Sequence, residues 1–213
     1  MLKKILCVGL IASSTVASAC PWLGTLNRGS TVSIGPTVSS ILQSNPAVAT
    51  AIYNAAAAWN STLAAGYIEG YSGIVTGSDC PAYTGTMQIG ALAFLGNTCP
   101  TLASYQKSNV LALVDSSTRS ITVNLNFAWS LNPGLGEFDL QSVLTHEFGH
   151  MLGLGHQNNG ECNDNSTQSC STSPRIETMN AGIAAATTCQ RVLTNNDVDS
   201  ANSLYYQWGG GGG

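Results

Sequence analysis

The sequence predicts an α+β fold, from three observations. An Ala-rich stretch, Ala47–Ala65, is helical in composition and opens at Asn45-Pro46, where Asn can cap and Pro is tolerated in the first helical position. Between about residues 67 and 127 the pattern turns β-like. After the turn-rich Asn132-Pro133-Gly134, a second helix opens near Asp139 and a last one at Thr194. Helices on both sides of a β-rich middle define the class.

Taken in order, Thr31–Ile34 is a first strand. The Ala-rich helix ends at Gly66, and its Tyr53 and Trp59 are expected to face the core. Met87–Leu95, Asn109–Asp115 and Ser120–Phe127 are the best strands, with Asp115–Thr118 as a hairpin connection. A polar, cysteine-bounded loop runs from about 157 to 178. Thr194 and Asp197 have capping-box spacing, with Asp where Glu is usual, and their helix runs to about Tyr206. Gly209–Gly213 forms a flexible tail. There is no internal repeat.

Composition narrows the function. Only 8% of the 213 residues are charged, against about 25% in an ordinary soluble domain. Residues 1–19 have the order of a secretory leader: Lys3 and Lys4, the apolar run Ile5–Ala12, then the small-residue site Ala17-Ser18-Ala19. The expected organisation is therefore a leader at 1–19, one catalytic domain at 20–208 and the glycine tail at 209–213. Loss of the leader takes the net charge from −4 to about −6 and leaves five scattered basic residues. Nucleic acid binding, which needs a basic patch, is not expected. No segment after the leader is long and apolar enough to be transmembrane.

Six cysteines remain after Cys7 departs, and in an exported chain six suggest three disulfides. Proximity favours Cys162–Cys170 and Cys80–Cys99, leaving Cys20 for Cys189. Acylation of Cys20 is the alternative, although Ala17 stands where lipoprotein leaders carry leucine. The expected location is extracellular, with the periplasm or a lipid anchor as alternatives.

The three histidines of the chain, His146, His150 and His156, fall within eleven residues. On a helix His146 and His150 are one turn apart on one face, so both imidazoles can reach one ion. Glu147 projects about 100° round from His146. Leu140, Val143, Leu144, Phe148, Met151 and Leu152 lie mostly on another arc and can anchor the helix in the core. Gly153 can take the left-handed conformation that ends a helix and swings His156 round as a third ligand. Three histidines leave one tetrahedral position open, which marks a catalytic rather than a structural zinc site. Zinc there lowers the pKa of water to about 7 and polarises a carbonyl, and Glu147 has the reach of a general base.

The stretch His146-Glu147-Phe148-Gly149-His150-Met151-Leu152-Gly153-Leu154-Gly155-His156 resembles the metal-binding motif of the metzincin metalloproteases. That resemblance implies a zincin-like, metzincin-type domain: a twisted five-stranded mixed sheet, an active-site helix, and a small C-terminal subdomain ending in a helix. It also implies a methionine-bearing turn beneath the metal, for which Met179 is the candidate. Phe138–Val143 and Leu193–Tyr205 are similar to matrixins within that clan. On this likeness Asp197 braces the methionine turn, although a helix-cap role fits the sequence equally.

There are departures. The loop from His156 to Met179 is long for a matrixin, and Gln157 matches no diagnostic residue of the subfamilies. Asn196 stands where matrixins have an Asp, and Ala181 replaces the tyrosine that supplies a further ligand in other metzincins.

The expected function is a secreted, monomeric zinc endopeptidase that hydrolyses peptide bonds in an extended polypeptide. One Zn2+ is held by His146, His150 and His156; Glu147 is the base, and Met179, Gly153 and Asp197 support the site. Structural calcium bound through scattered carbonyls would leave no mark in the sequence. The rivals are a zinc amidase acting on a non-protein or cell-wall amide, and a zinc-holding binding module without catalysis.

Overall fold

The computed structural model describes residues 30–34, 36–63, 68–75, 90–95, 110–115, 120–158, 161–162 and 176–209. The leader, Cys20, Cys80, Cys99, Cys170 and most of the long loop lie outside these residues, and with them one or both members of each expected cysteine pair. Cys189 is disulfide-bonded.

Strand β1 (Ser30–Ile34) enters first and is followed by α1 (Pro36–Ser44) and α2 (Pro46–Asn60). The sequence reading did not include α1. Its signals are Pro36 in the first helical position and apolar residues at Val38, Ile41 and Leu42, all of which lie in or against the core. Helix α2 stops short of Gly66. Ser61 Oγ donates to Ala58 O at 2.9 Å and Thr62 Oγ1 to Trp59 O at 2.7 Å, so side chains take the carbonyls a further turn would need. Its buried stripe is Val48, Ala51, Ile52, Ala55, Ala56 and Trp59. Tyr53 falls outside that three-and-four spacing and is 65% exposed, which corrects the expectation that it faces the core.

Strands β2 (Ile68–Val75), β3 (Gly90–Leu95), β4 (Ala112–Asp115) and β5 (Ser120–Asn124) join β1 in a mixed sheet of order β2-β1-β3-β5-β4. All neighbours are parallel except β4 and β5, whose antiparallel register pairs Asp115 with Ser120. Strand β4 is therefore an edge. Strand β5 ends before Phe127, because Asn124 Oδ1 accepts from Asn126 N at 3.0 Å and turns the chain. Short strands β6 (Trp129–Ser130) and β7 (Phe138–Asp139) pair in parallel, and β8 (Gln157–Asn158) pairs antiparallel with β9 (Glu161–Cys162).

Helix α3 (Leu140–Met151) carries the histidine motif. Asp139 caps it by accepting from Ser142 N at 2.7 Å. Leu140, Val143, Leu144, Phe148, Met151 and Leu152 are all buried. At the other end Gly153 has φ of +104°, Gly153 N donates to His150 O at 2.9 Å, and Leu154 N to Gly149 O at 3.0 Å. Those two bonds close a Schellman motif. A 3-10 turn at Cys189–Arg191 and helix α4 (Asn195–Gly209) complete the chain, so Gly209 belongs to the helix and not to the tail.

Two ties fix α3. Trp59, fully buried, donates from Nε1 to Thr145 O at 2.7 Å and joins α2 to the middle of α3. Asp139, also fully buried, receives Arg191 in a two-point pair: Nε to Oδ2 at 2.8 Å and Nη2 to Oδ1 at 2.5 Å. Arg191 Nη2 also donates to Leu131 O at 2.6 Å. Arg191→Ala leaves the carboxylate buried with only its cap bond. We expect a loss of about 2–3 kcal/mol, reduced somewhat because the Arg side chain is 27% exposed. Urea unfolding measures this, and an unshifted midpoint would count against the clamp.

Candidate metal centre

The fold brings the three histidines together. His146 and His150 stand one turn apart on α3, with ring centroids 4.6 Å apart, and His156 returns past the Gly153 stop to within 4.7 Å of His150 and 5.2 Å of His146. His146 and His150 are buried, while His156 is half-buried and forms the solvent side of the cluster.

Each helical imidazole is turned by a carbonyl. His146 Nδ1 lies 2.7 Å from Thr178 O and His150 Nδ1 2.7 Å from Leu154 O. A carbonyl only accepts, so Nδ1 carries the proton in both rings and the Nε2 lone pairs are left for a ligand. His150 Nε2 and His156 Nε2 are 3.1 Å apart, and one ligand atom from each of the three histidines falls within 4.8 Å of the others. Two nitrogens bound tetrahedrally to one zinc stand about 3.3 Å apart. The His150–His156 pair is close to that spacing, and the all-nitrogen donor set suits zinc.

Electrostatics agree with this fit. Burial, then the neighbouring His150 and His156, hold His146 well below its ordinary pKa, against the pull of the Thr178 carbonyl. Burial, then His156, bring His150 down to about 3, against the Leu154 carbonyl. Neutral imidazole is the form that binds metal. Burial pushes the Glu147 carboxyl up to about 8. Glu147 Oε2 is buried without a hydrogen-bond partner, as are Thr122 Oγ1, Ser142 Oγ and Asn180 Nδ2, and Glu147 is the one of these four beside the imidazoles that can ionise.

Supports lie behind the cluster. Met179 is fully buried against α3 at Gly149. Asp197, also fully buried, accepts from Thr178 N (2.9 Å) and Met179 N (3.1 Å). Asp197 also accepts from Thr194 N at 2.8 Å and Thr194 Oγ1 at 2.9 Å, while Asp197 N donates to Thr194 Oγ1 at 3.3 Å. The two readings of Asp197 are thus not alternatives, since one carboxylate makes both sets of bonds. Asn196 donates to Glu177 Oε1 at 2.8 Å.

A cleft of about 650 Å³ opens over the cluster. Its walls are the edge segment Val110–Val114, the pair Phe127 and Phe138, Val143 one turn before His146, and Ala181–Ile183 after the methionine turn. Phe127 and Phe138 meet edge to face at 5.5 Å. The sequence reading missed the cleft residues, and it treated Gln157, Trp59 and Arg191 without site roles. Arg191 had a signal, as one of few cations in a chain so poor in charge.

These elements give an α+β arrangement in which a histidine triad could hold a metal ion. Residues 104–208 match the family model described as Pregnancy-associated plasma protein-A, Peptidase_M43, a metzincin-type zinc metalloprotease family. The match spans the triad, Glu147, Met179 and Asp197. No curated protein matches the chain. The match agrees with the metzincin likeness of the histidine motif, while the narrower matrixin likeness, carried by Phe138–Val143 and Leu193–Tyr205, is not supported.

Gly149 has no room for a side chain. A Cβ there would fall on Met179 Sδ and come within 2.7 Å of Trp59 Cζ2. Gly149→Ala gains about 1 kcal/mol in helix propensity and loses about 1–3 kcal/mol by overpacking. Net destabilisation is expected in thermal unfolding, and a raised melting temperature would contradict this packing.

Proposed function

We propose that the chain is a secreted zinc endopeptidase in which His146, His150 and His156 hold one zinc ion and Glu147 is the general base. The observation that carries this reading is the buried Glu147 carboxyl, with Oε2 unpartnered, beside three converging imidazoles. A zinc ion bound there supplies a Lewis acid that polarises a carbonyl and lowers the pKa of water to about 7. Glu147 takes a proton from the attacking water and returns it to the leaving amine. A module that only stores metal has no use for that carboxylate.

The substrate is an extended polypeptide. Among the described residues strand β4 is an edge of the sheet, with which a substrate backbone can pair, and the cleft beside it is walled by Phe127, Phe138, Val143 and Ile183. Such walls favour an uncharged apolar side chain next to the scissile bond. Gly153, Met179 and Asp197 act as supports: Gly153 turns the chain toward His156, and Asp197 holds the turn whose Thr178 carbonyl orients His146. Export rests on the leader-like residues 1–19.

Incubating the refolded chain with denatured casein, with and without chelator, separates this reading from a zinc amidase and from a silent module. Chelator-sensitive cleavage is expected. Glu147→Gln should lower the rate by about 10²–10⁴-fold with zinc still bound. Metal binding with no cleavage of any peptide would sink the reading. In a peptide library we expect an apolar residue on one side of the cut, and a charged residue there to reduce kcat/KM by about 10–100-fold. A preference for charge at every position near the cut would show that these walls do not select the substrate.

A further inference from the structure

Gln157 follows His156 directly and is 1% exposed. A buried amide needs partners in place of water, and both ends of this one have them. Gln157 Nε2 donates to Asp197 Oδ1 at 3.0 Å, and Ser200 Oγ donates to Gln157 Oε1 at 2.8 Å. An ionised carboxylate only accepts, so the amide orientation follows from its neighbour. The backbone N of Gln157 also donates to Met179 O at 3.0 Å. One residue therefore joins the methionine turn to two successive turns of α4.

His156 differs from the other two histidines in the backbone that carries it. His146 and His150 ride on α3, whose own hydrogen bonds fix their backbone. His156 lies past the helix stop, in a stretch that is neither helix nor strand. Its backbone is tied on one side by the Leu154–Gly149 bond and on the other by Gln157.

We propose that Gln157 is a positioning residue for the third ligand: by fastening the chain after His156 to Met179, Asp197 and Ser200, it sets how tightly and in what geometry the cluster holds zinc. The inference rests on the zinc reading above. Gln suits the position because it offers a donor and an acceptor at one length. Glu has the same shape but turns an acceptor toward Asp197.

The test compares the full chain with Gln157→Ala, Gln157→Glu, Ser200→Ala and, as a control, Val48→Ala in the buried stripe of α2. For each, zinc affinity is measured by competition with a chromophoric chelator, the cobalt(II)-loaded protein gives a ligand-field spectrum, and the metal-free protein gives a melting curve. Gln157→Ala and Gln157→Glu are expected to weaken zinc by about 10–100-fold, the range for groups that orient ligands, and to shift the cobalt bands. Ser200→Ala should do the same to a smaller degree, and it carries the test if the Gln157 variants do not fold. Val48→Ala should lower the melting temperature and leave both metal readouts alone. Unchanged affinity and cobalt bands in the folded Gln157 and Ser200 variants overturn the inference, as does an equal loss in Val48→Ala. A parent chain that binds neither metal would remove the zinc reading itself, a result distinct from a parent that binds and variants that do not differ.

Discussion

Burying a carboxylate without a cation is costly unless N–H and O–H groups replace its water, and Asp197 meets that condition by drawing in three separate segments. Its oxygens accept from the 178–179 turn, from the cap of α4 and from the Gln157 amide. Each donor comes from a stretch that could not hold its place alone. The turn presents Thr178 O to His146, and Gln157 adjoins His156. Two of the three ligands thus trace back to one buried charge outside the cleft.

The low charge of the chain acquires a meaning here. Of its 11 acidic residues, Asp139, Glu147, Glu177 and Asp197 are all buried, and each is handled differently. Asp139 is met by Arg191, Asp197 by amides and a hydroxyl, and Glu177 by Asn196. Glu147 Oε2 alone is left unmet. Among the described residues the other buried carboxyls are thus met, and the one that is not lies beside the three imidazoles.

Local signals were legible in the sequence because local physics produces them. The histidine spacing, the helix start near Asp139, the Gly153 stop and the Thr194–Asp197 box each depend on neighbours within one or two turns, and each is seen in the geometry. Helix α1 was missed although Pro36 and the Val38, Ile41 and Leu42 spacing mark it, because nine residues give a weak periodic signal. Tyr53 was misplaced by judging residue type ahead of its angle on α2. The Arg191–Asp139 clamp and the Gln157 network join residues 52 and 40 positions apart, and nothing in either local pattern announces its partner. The matrixin likeness rested on Phe138–Val143 and Leu193–Tyr205, short segments whose helix start and helix pattern follow from local physics rather than from a particular family.

Residue order along the chain also has a consequence for timing. The three ligands are complete once residue 156 has been made, whereas Thr178, Met179, Asp197 and Ser200 are synthesised later. On a growing chain the donor atoms therefore emerge before anything that holds them in register. On the zinc reading proposed above, the donor atoms come first and the groups that fix their surroundings come last: Thr178, which orients His146, and Asp197 and Ser200, which hold Gln157.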